Sequence, residues 1–361
     1  MKLAETSSDK GNDGMGTAEK TVDAGSPLAL RREMIEQIGG CWTTQVIGVA
    51  AKLKVADHLA NGPMRYQDVA AAIHCAEPST KRLLRAMCSL GLASQSDAET
   101  FALTPKGELL RSDAPNSFRG MALSWTTRLW NAWGGLEGGV RTGEPSVISG
   151  SAGFANAAAN PELADVLNQA QADRTRGPAR EVARTYDFSR FTEVADLGGG
   201  YGTVIAEILK ANPSLKGAVF DLAYLEEKTL AFQKAEGTGD RFRFVGTDFF
   251  TEVASGPDCF VLKSILHDWD DDDCRTILKA VAKAVGKGGT LVVIEQVLPA
   301  LADADPLHHS AFRTDLTMLL GTGGMERTEA EYRALFAECG ITLNRILSNQ
   351  SEFHLIEATV D

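Results

Sequence analysis

The sequence is short of everything that would take it outside the ordinary globular classes. Among its 361 residues no run reaches the roughly eighteen apolar positions a membrane helix needs, so no membrane partner is expected. Its start, Met1-Lys2-Leu3-Ala4-Glu5-Thr6, has none of the apolar character of a secretory leader. Cysteine is sparse. The six residues Cys41, Cys75, Cys88, Cys259, Cys274 and Cys339 include no CxxC, and each lies in or near a segment that reads as buried helix or strand. That spacing suits neither a disulfide framework nor a zinc knot, and points to reduced thiols in a cytoplasmic protein. Positive charge is scarce too: 36 Lys and Arg face 48 Asp and Glu, for a net charge of -12. Such a chain is repelled by phosphate backbones unless it gathers its basic residues locally. A hydrophobic share of 44%, a charged share of 23% and a mean hydropathy of -0.11 carry no collagen-like, coiled-coil or disordered bias. What remains is a globular protein long enough for two domains or three.

Residues 1–27 are rich in Gly, Ser, Thr, Asp and Lys, cannot bury enough surface to offset ordering, and read as a disordered tail. Residues 28–112 open with a helical pattern through Met34, Ile35 and Ile38. The stretch Trp42–Val55 is apolar on nearly every face, which predicts a helix buried on all sides in a subunit interface. After the stop at Gly62-Pro63 come helical patterns at Tyr66–Ile73 and Ser79–Leu90, then a hairpin from Leu92 to Thr104, together a winged-helix layout. Lys81, Arg82 and Arg85 would mark a DNA-reading helix. Yet Leu30 to Arg111 holds ten Lys/Arg against eight Asp/Glu, no basic footprint, so packing rather than nucleic-acid binding is expected.

Residues 113–190 read as a helical connector holding Trp125, Trp130 and Trp133, a glycine-rich break at Gly134–Gly143, and a helix starting at Asn160-Pro161-Glu162. Residues 191–361 change texture. Strands at Val194–Leu197, Gly217–Asp221, Phe242–Gly246, Cys259–Lys263 and Leu291–Glu295 alternate with helices near Thr203–Ala211, Leu225–Glu236 and Asp272–Val285. That alternation predicts an α/β, doubly wound, mostly parallel sheet, closed by an antiparallel hairpin of Ile341–Leu347 and Phe353–Thr359.

The first of these strands runs into Asp196-Leu197-Gly198-Gly199-Gly200-Tyr201-Gly202 and then a helix. Glycines there let the backbone turn sharply and a ligand sit against bare peptide. A dinucleotide site shares that signal, but the spacing is GxGxG rather than GxGxxG, and Asp196 would oppose a pyrophosphate while suiting a ligand with a positive amino group. Asp221 with Leu222 ends the second strand, placed to accept from ribose hydroxyls. Asp248 and Phe249 follow the third, to accept from an adenine amino group and stack on its ring. In that order the set points to S-adenosylmethionine (SAM).

These motifs resemble the SAM-dependent small-molecule O-methyltransferases of the caffeate, hydroxyindole and antibiotic-tailoring type. Added to Lys263–Asp273, Ile294–Pro299 and Gly323-Gly324-Met325-Glu326-Arg327-Thr328, they extend the resemblance from about Leu30 to the C-terminus. It implies a class I SAM-methyltransferase domain and an N-terminal domain that forms a homodimer and helps close the partner's acceptor site. It also implies His267 as general base flanked by Glu295 and Glu326, with Lys263 along the adenosine and no metal. The run Asp270–Asp273 is then a helix start favoured by the macrodipole. Trp125, Trp130, Met318 and Met325 are acceptor-pocket candidates that could equally be core. Many relatives read Phe-Asn-x-x-Met where this chain has Leu167-Asn168-Gln169-Ala170-Gln171, so Gln171 hints at a more polar acceptor. The reading is methyl transfer to a hydroxyl of an aromatic or polyketide-like molecule in secondary metabolism. A non-methylating tailoring step, an NAD-dependent oxidoreductase and a winged-helix regulator remain alternatives at this point.

Overall fold

The computed structural model describes residues 25–114, 117–146, 161–306 and 308–361. Most of the expected tail, 1–24, lies outside them. The chain divides into two compact units, 1–43 and 44–361. In the first, helix α1 (Pro27–Gly39) starts on Ser26, whose hydroxyl accepts from the Ala29 amide at 3.3 Å, with Pro27 at the first helical position. Leu28, Leu30, Met34, Ile35 and Ile38 of α1 are all more than half exposed.

Helix α2 (Cys41–Lys52) ends where Lys54 takes a left-handed conformation, φ 54°, so α3 (Val55–Leu59) is a separate piece. The expected all-round burial does not hold in the single chain: Gly48, Ala50 and Ala51 are buried, but Trp42 and Val49 stay 39% exposed and Cys41 is exposed. Gly48 is required, because a Cβ there would lie 2.0 Å from Thr126 Cγ2. Strand β1 (Met64–Arg65), α4 (Tyr66–Ala72), α5 (Glu77–Ser89), β2 (Ala93–Gln95) and β3 (Thr100–Leu103) complete the winged-helix layout, with sheet order β1-β3-β2. Val55, Leu59, Val69, Leu84, Met87 and Phe101, all 2% exposed or less, form its core. Lys81, on the would-be DNA-reading helix, is instead held over the Tyr66 ring at 4.5 Å.

After α6 (Pro105–Glu108) come α7 (Arg119–Trp125), α8 (Arg128–Gly134), α9 (Leu136–Thr142) and α10 (Pro161–Thr185). The glycine-rich break is thus mostly helix. Gly139 explains why: a Cβ there would meet Leu320 Cδ2 at 3.0 Å, so the glycine serves close helix packing more than a turn.

The second half is one seven-stranded sheet. Its strands are β4 (Glu193–Leu197), β5 (Lys216–Asp221), β6 (Phe242–Gly246), β7 (Cys259–Lys263), β8 (Thr290–Glu295), β11 (Ile341–Ser348) and β12 (His354–Val360). The order is β11-β12-β8-β7-β4-β5-β6, parallel from β6 to β8, with β12 antiparallel to both its neighbours. A short parallel pair, β9 (Val297–Leu298) and β10 (Arg327–Thr328), lies apart from it. Helices α11 (Thr203–Ala211), α12 (Glu226–Ala235), α13 (Asp271–Val285), α14 (His309–Gly321) and α15 (Glu329–Ala337) fall between strands. Val261, Leu262, Val292 and Val293 have no exposed surface, as unbroken apolar strands covered on both faces require. The Asp270 carboxylate accepts from the Asp273 amide at 2.9 Å and caps α13, the part the acidic run was expected to play.

Candidate active site

Five parallel strands end at one edge of the sheet, and the turns beyond that edge surround a cavity of about 460 Å³. Asp196, Gly198 and Gly200 line it from beyond β4, Asp221 and Leu222 from the end of β5, Asp248 and Phe249 from beyond β6, and Lys263 from the end of β7. All eight residues expected to hold the cofactor therefore share one wall.

The loop after β4 explains its glycines. Gly198, Gly200 and Gly202 have φ of +67°, +57° and +78°, which L side chains adopt only under strain. A Cβ on Gly202 would also meet Gln233 Nε2 at 2.5 Å, an amide that donates to the Gly202 carbonyl at 2.8 Å. Asp221 ties the loop down: Oδ2 accepts from the Gly200 amide at 2.8 Å and Oδ1 from the Leu222 amide at 2.7 Å. Asp248 Oδ1 accepts from the Phe250 amide at 3.0 Å, and Phe249 packs edge-on against Trp269.

Asp196 is 1% exposed, and among the described residues its Oδ2 has no hydrogen-bond partner. Burial, then repulsion from Asp221, pushes its carboxyl up to about 7. A desolvated carboxylate with one unpartnered oxygen beside bare glycine backbone calls for a cationic group, which the positive amino group of SAM would supply. The residues present fit that cofactor.

Behind the wall lies the second cluster. Ile265, Asp268 and Trp269 line the cavity, while His267 between them is 6% exposed and turned toward two buried carboxylates. Nδ1–H of His267 donates to Glu326 Oε1 at 2.8 Å and lies 3.5 Å from Glu295 Oε2. Nε2 lies 3.8 Å from Asp268 Oδ1, beyond hydrogen-bonding reach, and His267 itself is not among the residues that line the cavity. Burial disfavours the imidazolium, but the charges of Glu295, Glu326 and Asp268 outweigh it and push His267 up to about 10. Burial is also the main cause that raises Glu295, to about 7. The donor atoms of His267, Glu295 and Glu326 lie within 4.8 Å of one another, a spacing a metal ion could also use. Here they are joined through the Nδ1 proton.

Sequence reasoning missed what holds the turn carrying His267. Glu295 Oε1 accepts from the amides of Ile265, Leu266 and His267 at 3.0, 3.0 and 3.4 Å. Arg327, 1% exposed, grips the same turn from its carbonyl side, donating to Leu266 O and Trp269 O at 3.0 Å each and to Asp271 Oδ1 at 2.8 Å. Gly324 must be glycine, since a Cβ would lie 2.1 Å from the His267 carbonyl oxygen. Asp315 Oδ1 accepts from the Glu326 amide at 3.0 Å. Arg327 and Asp268 stand inside motifs quoted for the resemblance, yet nothing in their spacing assigns them a part.

The acceptor candidates divide. Gln171 lines the cavity from α10. Trp125, Trp130, Met318 and Met325 do not: Trp125 stacks on Trp133 at 6.3 Å, Trp130 and Met325 are 39% and 38% exposed, and the Met318 sulfur lies 3.7 Å from the Thr322 hydroxyl.

Comparison with known proteins places this arrangement. Residues 133–342 match the family model of the O-methyltransferase domain, and residues 35–113 that of the O-methyltransferase dimerisation domain. The chain belongs to the O-methyltransferase family. It is similar to the phenazine O-methyltransferase PhzM of Lysobacter antibioticus, 36% identical over 333 residues that cover 92% of this chain and 96% of the relative. Among solved structures, that of LaPhzM has a TM-score of 0.86 at 35% identity, covering 92% of this chain and 99% of the other. The SAH-bound structure of CalO1, a methyltransferase in calicheamicin biosynthesis, has a TM-score of 0.77 at 29% identity, covering 93% and 99%. This chain is a SAM-dependent O-methyltransferase with a class I methyltransferase fold and an N-terminal dimerisation domain. The oxidoreductase and regulator alternatives fall with that finding. Among the described residues no helix is long and apolar enough to cross a membrane.

Proposed function

We propose that the enzyme methylates a hydroxyl of an aromatic or polyketide-like molecule in secondary metabolism, with His267 as the general base. One observation carries this: a buried imidazole whose Nδ1–H is held by Glu326, on a turn whose neighbours Ile265, Asp268 and Trp269 line the cavity. In this reading residues 113–190 contribute to the acceptor pocket and 191–361 hold the cofactor. Bound SAM supplies an electrophilic methyl group on a sulfonium centre. Asp196 receives its amino group, Asp221 the ribose hydroxyls, Asp248 and Phe249 the adenine, and Lys263 lies along the adenosine.

The rest of the work is proton transfer and orientation. Nε2 takes the proton of the acceptor hydroxyl. Glu326 fixes the tautomer that leaves Nε2 free and stabilises the imidazolium that forms. Glu295 and Arg327 act through His267, as positioning residues that hold its turn from the amide and carbonyl sides. The similarity to a phenazine O-methyltransferase supports a polycyclic aromatic substrate class. The more than half-exposed apolar side chains of α1 and the match to a dimerisation domain support a homodimer built through the N-terminal helices. Six free thiols support a reducing, cytoplasmic setting.

The test is incubation of the purified enzyme with SAM and a panel of hydroxylated aromatic and polyketide compounds, reading S-adenosylhomocysteine release and the mass of each product. A product heavier by one methyl on oxygen supports the reading. A hydroxylated or decarboxylated product would replace it with a non-methylating tailoring step.

A further inference from the structure

Helix α12 inverts the usual pattern of burial. Its two buried side chains, Thr229 and Gln233, are polar and have no exposed surface, while Leu230 between them is 42% exposed. Glutamine is rarely buried unless its amide is engaged, because an unpaired amide in the interior is costly. Residues four apart share one helix face, and this face is turned to the glycine loop after β4. Thr229 Oγ1 donates to the Gly200 carbonyl at 2.9 Å, rather than to the carbonyl one turn back in its own helix. Gln233 Nε2 donates to the carbonyls of Tyr201 and Gly202 at 3.2 and 2.8 Å. The Thr238 hydroxyl, also buried, donates to Gln233 Oε1 at 2.7 Å and so orients the amide with its donors toward the loop.

Three consecutive loop carbonyls are thus held from one helix face. Gly198, Gly200 and Gly202 reach their positive φ without strain, but the same freedom opens other conformations to a loop that nothing fixes. Asp221 fixes the Gly200 amide from β5, and Thr229 fixes the carbonyl of the same residue. A carbonyl bonded to α12 cannot also turn its oxygen into the cavity. Neither Thr229 nor Gln233 lines that cavity, whereas Gly200, Tyr201 and Asp221 do, so the two side chains act on the loop from behind.

We propose that Thr229 and Gln233 are positioning residues for the cofactor, which set the affinity for SAM by locking the glycine loop in its binding shape without touching the ligand. The inference rests on the reading that this cavity holds SAM and deepens it. A loop already locked has little freedom left to lose when the cofactor binds. A loose one is competent for only part of the time, and the apparent affinity falls by that fraction.

The test is calorimetric titration of the full-length protein with S-adenosylhomocysteine, beside the melting temperature of each variant without ligand. Thr229→Val keeps the shape and removes one donor, and should weaken binding about fivefold. Gln233→Met removes two, leaves Thr238 the backbone carbonyl of residue 233 at 3.1 Å, and should weaken binding about tenfold or more. Thr229→Ser, which retains the donor, should recover most of the affinity that Thr229→Val loses. A purely packing role predicts lower melting temperatures with affinity within about twofold of the parent's. That result, or a Thr229→Ser variant as weak as Thr229→Val, would overturn the proposal and leave the cofactor reading standing. Should Gln233→Met fail to fold, the two Thr229 variants decide alone. An unaltered protein that binds no S-adenosylhomocysteine overturns the cofactor reading, and the proposal with it.

Discussion

His267 has one proton held and one place vacant for another, and its surroundings decide how well it can use them. Three carboxylates make it an unusually strong base, at about 10 against an ordinary value near 6.5. A base must be neutral to accept, so kcat/KM should rise with pH across the neutral range and level off near the histidine's own value. Replacing Glu326 with Gln removes a charge that favours the imidazolium. The limb of the pH profile should therefore shift to lower pH, and the plateau beyond it should fall; an unmoved limb would place the base elsewhere. Arg327 is tested by Arg327→Met, which removes the guanidinium donor shared by the Leu266 and Trp269 carbonyls. Unfolding stability should drop by about 1–3 kcal/mol, as for buried hydrogen bonds from a charged donor, and kcat should fall more than KM changes. Chemical denaturation with steady-state kinetics reads both. At this scale the sequence disclosed His267 and its two carboxylates only through their motifs. That Glu295 accepts three amides and that Arg327 grips the opposite side depends on packing between β8, β10 and the turn, which no spacing shows.

Secondary-structure elements were more legible than side-chain contacts. A strand buried on both faces announces itself as an apolar run, so Cys259–Lys263 is bounded to the residue, and so is the half-buried edge strand Phe242–Gly246. Acidic residues at successive strand ends then fell on one cavity because parallel strands end on one edge. Glycine was the ambiguous letter. Gly198, Gly200 and Gly202 signal left-handed backbone, whereas Gly139 permits packing within a helix, and composition alone cannot separate the two uses. Aromatic and methionine side chains were equally ambiguous, which is why Trp125, Trp130, Met318 and Met325 were acceptor candidates although none lines the cavity. The loop account predicts that Gly202→Ala costs about 1–2 kcal/mol for left-handed strain alone. Because the Cβ must also displace Gln233, S-adenosylhomocysteine affinity should fall as well. Calorimetry on the variant would refute this if affinity and melting temperature both stayed at the parent's values.

At the scale of the whole chain, one unit carries the sheet whose edge turns line the cavity, and the N-terminal unit carries exposed apolar surface. Leu28, Leu30, Met34, Ile35 and Ile38 leave α1 with no buried residue, which argues for a partner that is a second copy of the chain. Sedimentation velocity should show a dimer, and Ile35→Asp with Ile38→Asp should yield monomers. A parent protein that sediments as a monomer would contradict that. The all-round apolar character of Trp42–Val55 was visible in the sequence. How much of it one chain covers was not, because burial across an interface and burial in a core leave the same pattern. The account's central claim is that His267 removes the acceptor's proton while the glycine-loop cavity holds the cofactor on its own. The most direct measurement is therefore His267→Ala, with the methyl-transfer rate and S-adenosylhomocysteine affinity determined on the same preparation. Loss of a positioned base should lower kcat by about 10²–10⁴-fold and leave that affinity within about twofold. A rate near the parent's, or a loss of affinity as large as the loss of rate, would contradict it.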